Sequence, residues 1–411
     1  MELNSPQKSI IIISSGQPSL NPRLVKEADA LANSGFQVTV LYAFWNNWGT
    51  QYDVDLLAAK KWKAIRLGGG PKQKPFIYFL SRLTHKISSL ILLKTRNNKF
   101  FADISIARSS YFLIRGAKKY KADLYIAHNL GALPATVKAS KKYGKPCGFD
   151  AEDFHRQEVS DDINSFPFKL CKFIEDKYLP SVNYITASSS LIAEKYASLY
   201  NRKVTTILNV FPKTVNLSVW DNKNKPLKLF WFSQTLGPNR GIESVIEAIG
   251  LSPYENQLHL LGFVSAAYKQ RLLELCKNNR VSDETIFFYE PVKPGNIFGL
   301  ANQFDIGIAS ETGFCLNNNM AVSNKIFTYI QSGLTVAASN TPAQSDLIMK
   351  YPAVGSIYRD AKELSLILNR YHENKGLLLN AKMEAMKIAQ SELNWECESE
   401  KFMNIITKVL S

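Results

Sequence analysis

Cysteine is scarce in this chain, and the few cysteines form no pattern typical of a metal or redox site. The five are scattered along 411 residues, at Cys147, Cys171, Cys276, Cys315 and Cys397. None belongs to a CxxC pair or to a Cys/His spacing that would hold a metal. We therefore expect reduced, structural thiols in a cytoplasmic protein.

Long hydrophobic runs are also missing from the sequence. The N-terminal run Ile10–Ile13 is short and has no basic region before it, so it does not predict a signal peptide. The longest later run, Ile87–Leu93, contains two serines and falls far short of the ~20 apolar residues that cross a bilayer. The sequence thus predicts no membrane-spanning segment.

Acidic residues are almost absent from residues 60–119. This segment holds fifteen Lys or Arg and one acidic residue, Asp103, and so carries +14 of the chain's net charge of +15. Within it, bulky apolar residues alternate with basic ones: Arg82, Lys86, Lys94, Arg96 and Lys99. Such a stretch suits an anionic membrane surface. The alternative, a solvated basic face with its apolar side on the core, stays open, whereas no motif supports nucleic-acid binding.

Strand-like and helix-like segments alternate through both halves of the chain. This alternation predicts parallel sheets with helices on both faces, and the chain length suggests two such domains. Residues 211–226 contain two prolines and end in polar and charged residues, as linkers do. We expect a Rossmann-like domain at 1–210, a linker at 211–226, a second Rossmann-like domain at 227–390 and a closing helix at 391–411. The two doubly wound α/β domains are expected to face each other across a cleft.

A candidate phosphate-binding loop opens the second domain. Residues 233–241 (SQTLGPNRG) join a predicted strand to a predicted helix. Gly237 and Gly241 allow the backbone to approach a ligand closely, and Arg240 can hold a phosphate with two hydrogen bonds. The alternative is an ordinary turn with a surface arginine.

A second candidate site begins at Glu311, directly after an apolar strand. The residues Ser323, Asn324 and Lys325 open an apolar-patterned helix that ends at Gly333. A helix N-terminus attracts anions, Ser323 is a plausible N-cap, and Lys325 adds a full positive charge. Because the Glu311 carboxylate can accept hydrogen bonds from sugar hydroxyls, the segment predicts a pocket for a nucleotide-activated sugar.

The first domain offers polar residues after its predicted strands. The loop at Gly16 lacks GxGxxG, so we interpret Gly16 as giving backbone freedom near the cleft rather than as part of a nicotinamide site. His128, Asp150, Asp153 and His155 follow strand ends, where cleft-facing residues belong, and Asp150 is expected to face inward. They can ligate a metal, hold an acceptor hydroxyl or act as acid and base. The alternatives are a structural histidine and helix-capping carboxylates.

Asp53-Val54-Asp55 matches the DxD pattern with which another class of sugar transferases holds a metal-diphosphate. It lies in a stretch that we predict to be a polar loop, with no hydrophobic strand beside it. We interpret it as a chance match.

These motifs together resemble those of the GT-B-fold glycosyltransferases of the GT4 type, a retaining family that uses nucleotide sugars. The resemblance covers nearly the whole chain. Residues 237–241 resemble the family's G-x-x-x-K-G loop, with Arg240 in place of the lysine. Residues 311–314 and 323–339 resemble the two halves of its paired-glutamate motif.

The resemblance implies roles for individual residues. Arg240 and Lys325 would stabilise the departing diphosphate without a metal, Glu311 would contact the donor sugar, and His128 would lie against that sugar. The other residues implied in donor binding are Gly16, Gly237, Gly241, Gly313, Phe314, Ser323, Asn324 and Thr328. Asp150, Asp153 and His155 would lie on the acceptor side.

The sequence departs from the family's pattern in two ways. Thr328 stands where the family has a second glutamate that grips the ribose, and CLNNNMAVS separates the two halves of the motif. A threonine binds a ribose hydroxyl more weakly than a carboxylate does, and we expect Asn324 to compensate.

The resemblance implies a retaining, metal-independent glycosyltransferase without a cofactor. It would move a sugar from a UDP- or GDP-sugar to a saccharide or lipid-linked acceptor at the inner face of the cytoplasmic membrane, in cell-envelope polysaccharide biosynthesis. Two alternatives stay open. One is a binding protein of the same fold that has lost catalysis, and the other is a nucleotide-sugar epimerase that uses Asp150 or His155 as acid and base.

Overall fold

The computed structural model describes residues 7–95, 99–214, 217–218 and 226–411. The chain forms two compact units. The first comprises the described residues of Met1–Leu208 with Cys315–Asn317 and Ser399–Ser411, and the second those of Asn209–Phe314 and Asn318–Glu398. The division at 208 lies close to the expected domain end at 210. Residues 215–216 and 219–225 of the expected linker lie outside the described part of the chain.

The first unit is built on a seven-stranded parallel sheet with the order β3-β2-β1-β4-β5-β6-β7. Its strands are β1 (Ser9–Ser14), β2 (Gln37–Ala43), β3 (Lys63–Leu67), β4 (Leu124–His128), β5 (Cys147–Ala151), β6 (Tyr184–Ala187) and β7 (Thr205–Thr206). The helices between them are α1 (Pro22–Asn33), α2 (Asn47–Ala58), α3 (Pro75–Thr95), α4 (Lys99–Ser105), α5 (Ser110–Ala117), α6 (Leu133–Tyr143), α7 (Phe166–Tyr178) and α8 (Ser190–Tyr200). Strand order reverses between β1 and β4, the switch point where ligands bind in such sheets.

The second unit is built on a six-stranded parallel sheet with the order β10-β9-β8-β11-β12-β13. Its strands are β8 (Leu227–Leu236), β9 (Asn256–Val264), β10 (Ile286–Tyr289), β11 (Ile306–Ala309), β12 (Thr335–Ser339) and β13 (Gly355–Tyr358). The helices of this half of the sequence are α9 (Ile242–Leu251), α10 (Ala266–Asn278), α11 (Ile297–Ala301), α12 (Leu316–Met320), α13 (Asn324–Gln331), α14 (Pro342–Lys350), α15 (Ala361–Glu373), α16 (Lys375–Ser391) and α17 (Trp395–Leu410). The expectation of two tandem Rossmann-like folds is confirmed.

The start of α1 follows the sequence signal. The Asn21 side chain accepts a hydrogen bond from the Leu24 N–H at 2.9 Å, and Pro22 occupies the first helical position, where its missing N–H costs nothing. The helix ends before Gly35, whose φ of +88° suits only glycine. This geometry fixes the buried face of α1 against the sheet, including the side chains of Arg23 and Glu27.

The polar loop predicted around Asp53 is wrong, because this residue lies in α2. Asn46 caps that helix by accepting the Gly49 N–H at 2.7 Å. Asp53 is buried and accepts hydrogen bonds from the Ser19 N–H and the Gln17 side chain, each at 2.9 Å. It therefore holds the loop after β1, which agrees with reading the DxD as a chance match.

One helix in the described part of the chain, α3, is long and apolar enough to cross a membrane by length and composition. This corrects the expectation that no segment reaches that length, since the scattered serines and basic residues interrupt the run without lowering its mean hydropathy enough. Only a small share of this helix is buried.

Candidate functional site

Three residues predicted from the sequence come together in the second unit. The Glu311 carboxylate, just beyond β11, accepts hydrogen bonds from Lys325 Nζ at 2.7 Å and Ser323 Oγ at 2.8 Å. Asn318 donates to its other oxygen at 3.3 Å. Burial alone would raise the pKa of Glu311, but the Lys325 ammonium outweighs burial and holds that pKa at about 2. Glu311 is therefore ionised at neutral pH.

The start of α13 carries concentrated positive charge. Ser323 precedes this helix, but its hydroxyl donates to Glu311 instead of capping the first turn. Lys325 Nζ lies 5.3 Å from the centre of the Trp231 ring, at cation–π distance. An ammonium beside the unpaired N–H groups of a helix start is an arrangement that binds anions.

The loop that bears Arg240 is fixed to the end of β11. Ser310 Oγ donates to the Arg240 carbonyl at 2.7 Å and accepts from Trp231 Nε1 at 3.0 Å. Gly241 has a φ of +72°, and a Cβ there would lie 2.6 Å from the Ser310 carbonyl oxygen. Because Trp231 contacts both Ser310 and Lys325, the loop and the start of α13 lie at one edge of this sheet. The Arg240 side chain is exposed there.

The other residues implied in donor binding in this unit have varied surroundings. Thr328 is buried, and its hydroxyl donates to the Asn324 carbonyl of its own helix at 3.4 Å, so the structure gives no support to its expected ribose contact. Asn324 and Phe314 are exposed, and the Gly313 N–H donates to Asn318 Oδ1 at 2.7 Å. Gly237 has open space around its Cα.

His128 and Asp150 lie in a buried charge network of the first unit. They are register neighbours at the ends of β4 and β5. His128 Nε2 lies 2.9 Å from Glu27 Oε2, and Nδ1 lies 3.1 Å from Glu152 Oε1. Arg23 donates two hydrogen bonds to Asp150, at 2.5 and 2.6 Å. Burial would lower the pKa of His128, but the Glu27 carboxylate raises it to about 10.

These contacts differ from the sequence expectations for both residues. His128 is fully buried, and each of its ring nitrogens lies within hydrogen-bond distance of a carboxylate instead of pointing into open space. Asp150 does face inward, but Arg23 and Thr186 occupy it and it is closed to an acceptor. Burial of the Asp150 carboxyl would raise its pKa, yet the Arg23 guanidinium holds that pKa below the usual range.

The same network includes a group of side chains with the types and spacing of a metal site. Ligand atoms of Glu27, His128 and Asp150 all lie within 4.8 Å of one another. Arg23 Nε, however, lies 2.5 Å from Asp150 and 3.7 Å from Glu27. The guanidinium already neutralises these carboxylates, so this set of residues does not fit a cation.

A cavity of about 610 Å³ opens at the carboxyl ends of β1, β4 and β5, at the switch point of the first sheet. Residues that follow strand ends contribute much of its lining, including Gly16, Trp45, Asn129, Glu152, Asp153 and His155. Gly16, implied in donor binding, thus lies on this cavity of the first unit.

Two acceptor-side residues predicted from the sequence line this cavity. His155 is only 8% exposed, its Nδ1 lies 2.9 Å from Glu158, and its Nε2 finds no partner among the described residues. Glu158 outweighs burial and raises the pKa of His155 to about 9. Burial, with the nearby Glu158 charge, raises the pKa of Asp153 to about 6, and Asn317 donates to Asp153 at 2.8 Å. An imidazolium N–H and a carboxylate on one cavity wall can bind a hydroxyl group.

Several functional residues escaped the sequence analysis. Arg23 and Glu27 lie one helical turn apart on the helix that was predicted, but nothing marked them as buried. Trp45, two residues after the end of β2, lies at the cavity with the Arg108 guanidinium 4.7 Å from its ring. Its position after a strand was a signal that we did not use.

Comparisons with known proteins give matches among solved structures alone. No family model and no curated protein matches the chain. HepE from Anabaena, solved with UDP, has a TM-score of 0.69 at 14% identity and covers 98% of this chain and 100% of its own. A glycosyltransferase from Rickettsia africae gives 0.68 at 13%, covering 99% and 100%. TarM from S. aureus gives 0.69 at 10%, covering 98% and 100%. The chain thus has the GT-B fold of these glycosyltransferases.

Proposed function

We propose that this chain is a retaining, metal-independent glycosyltransferase. It moves a sugar from a UDP- or GDP-sugar to a saccharide or lipid-linked acceptor, in cell-envelope polysaccharide biosynthesis. The observation that carries the proposal is the Glu311–Lys325 pair at the start of α13, next to the loop of Arg240. HepE has been solved with UDP and with UDP-glucose, which supports a nucleotide sugar as the donor.

The charges of the second unit suit the departure of a diphosphate. As the glycosidic bond breaks, the leaving diphosphate gains negative charge. The Lys325 ammonium, the Arg240 guanidinium and the first N–H groups of α13 supply fixed positive charge at that point. Removing one such donor typically costs ~3 kcal/mol of barrier. No protein nucleophile is needed if the acceptor attacks on the face from which the diphosphate departs.

Glu311 has a separate part in this mechanism. Its carboxylate stays ionised because Lys325 lowers its pKa to about 2. An ionised carboxylate accepts strong hydrogen bonds from sugar hydroxyls. When a diphosphate takes over the Lys325 charge, Glu311 is free to hold the sugar ring and fix its orientation.

The cavity of the first unit is the proposed acceptor site. His155 Nε2 is a buried donor without a partner among the described residues, and Asp153 is an acceptor on the same wall. Trp45 offers an aromatic face at this cavity, and such faces bind sugar rings well because they bury apolar ring edges.

The test compares three single variants of the full chain with wild type. Arg240→Ala and Lys325→Ala should each lower transfer about 100-fold. Lys387→Ala is the control, because the Lys387 side chain is exposed on α16 and pairs there with the exposed Glu384. UDP- and GDP-sugars are assayed with a pool of saccharide acceptors, and NMR of the product reads its anomeric configuration.

Five outcomes contradict parts of the proposal. Wild-type rates in both variants would exclude the phosphate role, and an inverted product would exclude retention. Loss of activity in EDTA would exclude metal independence. Donor turnover without any acceptor would favour an epimerase, and donor binding without turnover would favour a binding protein.

A further inference from the structure

Helix α3 has the reverse of the usual amphipathic arrangement. Its two buried residues, Ser81 and Ser88, are small and polar. Six of its large apolar residues are between 38% and 71% exposed: Phe76, Phe79, Leu83, Ile87, Leu90 and Leu93. A surface helix of a globular protein normally buries its apolar face and exposes its polar one.

The exposed apolar residues of α3 form one continuous stripe. They follow one another at intervals of three or four residues, which places them on the same helical face. Ser81 and Ser88 lie on the opposite face, where α3 packs against α4 and α5. His85 lies on that packed side, with Nε2 3.2 Å from the Ser105 carbonyl. A stripe of this size on a soluble surface marks an interaction site.

The charge around the stripe selects the kind of surface that it fits. Residues 75–95 contain no acidic residue, and Lys86 and Lys94 are exposed beside the stripe. Lys72 and Lys74, just before the helix, are exposed as well. Apolar side chains flanked by lysines match the acyl boundary and the phosphate layer of an anionic bilayer.

We infer that α3 lies in the plane of an anionic phospholipid bilayer, with the stripe in the acyl boundary and the lysines at the phosphates. The helix does not span the bilayer, because its serine face packs on the first unit and Arg82 and Lys86 lie near its middle. The helix is ~30 Å long at 1.5 Å per residue, which gives an extended footprint on the surface. This inference holds whether or not the chain transfers sugars.

The test uses the full chain with vesicles and neither donor nor acceptor. Vesicles of phosphatidylcholine with phosphatidylglycerol should bind the chain at low salt, and binding should fall as salt rises. Vesicles of phosphatidylcholine alone should bind at least about tenfold more weakly, because they lack the attraction of ~1 kcal/mol per lysine near the surface.

Matched variants distinguish binding through the stripe from nonspecific hydrophobic adsorption to the vesicles. The triple variant Leu83→Ser, Ile87→Ser and Leu90→Ser should lower the vesicle partition coefficient at least about tenfold. The control triple, Phe263→Ser, Met349→Ser and Leu366→Ser, removes apolar residues of the second unit that are more exposed than those three and should bind like wild type. All six side chains are exposed, so circular dichroism and melting should remain those of wild type. Lys86→Glu with Lys94→Glu should also lower partition about tenfold or more.

Four results would overturn the inference. The first is no binding to anionic vesicles at low salt, and the second is equal loss in both triple variants. Resistance to extraction with alkaline carbonate would show a spanning helix. A dimer by light scattering that the α3 triple variant dissociates would show that a second copy of the chain covers the stripe.

Discussion

The replacement His128→Leu tests whether His128 stabilises the fold or contacts the donor sugar. The resemblance implies that His128 touches the donor sugar, whereas the structure buries it between Glu27 and Glu152. If His128 stabilises the fold, the variant loses stability and keeps its affinity for the donor. If His128 contacts the donor sugar, the variant keeps its stability and loses donor affinity or transfer rate.

The magnitude follows from the charges around the ring. The pKa of His128 rises from 6.5 to about 10 in the folded chain, which corresponds to at most about 5 kcal/mol at 1.36 kcal/mol per unit. In the variant, Glu27 still lies 3.7 Å from Arg23, so it is not left wholly without a cation. We therefore expect a loss of about 3 kcal/mol, the low end for breaking a buried ion pair.

The sign of the pH dependence can be worked out from the same shift. Because the folded pKa is raised, the stabilisation by His128 is fully present below pH 6.5 and disappears as pH rises through 10. Carboxylates of Glu27, Asp150 and Glu152 lie within 3.4 Å of the ring nitrogens. Arg23 pairs with Asp150 on the same side. The gap in unfolding free energy between wild type and variant should shrink between pH 7 and pH 10.5.

Urea unfolding followed by circular dichroism at both pH values measures that gap. His259→Leu is the control, since His259 is a buried histidine of the second unit whose pKa is lowered by burial to about 4, and its effect should not change between these pH values. Donor KM of His128→Leu is expected within about threefold of wild type. A gap under about 1 kcal/mol together with a 100-fold loss of kcat/KM would refute the scaffold interpretation.

Three further predictions concern the second unit. Gly241→Ala should destabilise the folded chain by about 1–3 kcal/mol in thermal unfolding and lower the rate of sugar transfer. Its φ is +72°, and a Cβ there would meet the Ser310 carbonyl oxygen at 2.6 Å. Gly237→Ala is the control and should be near neutral, because a Cβ at Gly237 has open space around it. Thr328→Val should change donor KM less than about threefold, since the Thr328 hydroxyl bonds to its own helix. A tenfold rise in donor KM would instead support a contact between this hydroxyl and the ribose. Titration of Glu311 should not change donor affinity between pH 8 and pH 5, because the pKa of this carboxyl is about 2. Lys325→Met should raise the pKa of Glu311. An unchanged pKa of Glu311 in this variant would contradict the ion pair between Glu311 and Lys325.

The residues predicted to bind the donor come together through local geometry. Arg240 lies just before α9, which directly follows β8, and Lys325 lies in the first turn of α13, which follows β11 with only the short helix α12 between them. Strands β8 and β11 are neighbours in the sheet. The carboxyl ends of parallel neighbours meet at one edge. Thr328 lies four residues after the start of α13, and its hydroxyl donates to the Asn324 carbonyl of the preceding turn, so its ribose contact stays a prediction.

Helix α3 shows what periodicity leaves open. The same alternation of apolar and basic residues predicted either a membrane surface or a face packed on the core, because a period identifies a stripe without saying which side the protein covers. Ser81 and Ser88 show which side of α3 the protein covers, because they are the two buried residues of this helix. Small polar residues at a spacing of seven on one face were therefore the usable signal.

The acceptor side depended on where each strand ends, which is the least predictable feature of a sequence. The sequence pattern places His128 and Asp150 after the ends of two strands, but β4 includes His128 and β5 runs past Asp150 to Ala151. A residue that still belongs to a paired strand lies between the two adjacent strands and beneath α1. His128 and Asp150 are such residues, and they are therefore buried in the sheet. The first residues past the ladder reach the cavity instead: Asn129 after β4, and Glu152 and Asp153 after β5. When a strand is one or two residues longer than predicted, a side chain expected to line the cavity is instead buried inside the sheet. Asp150 and His128 bond to Arg23 and Glu27, which the sequence places more than a hundred residues away, and a local sequence pattern does not reveal such long-range partners.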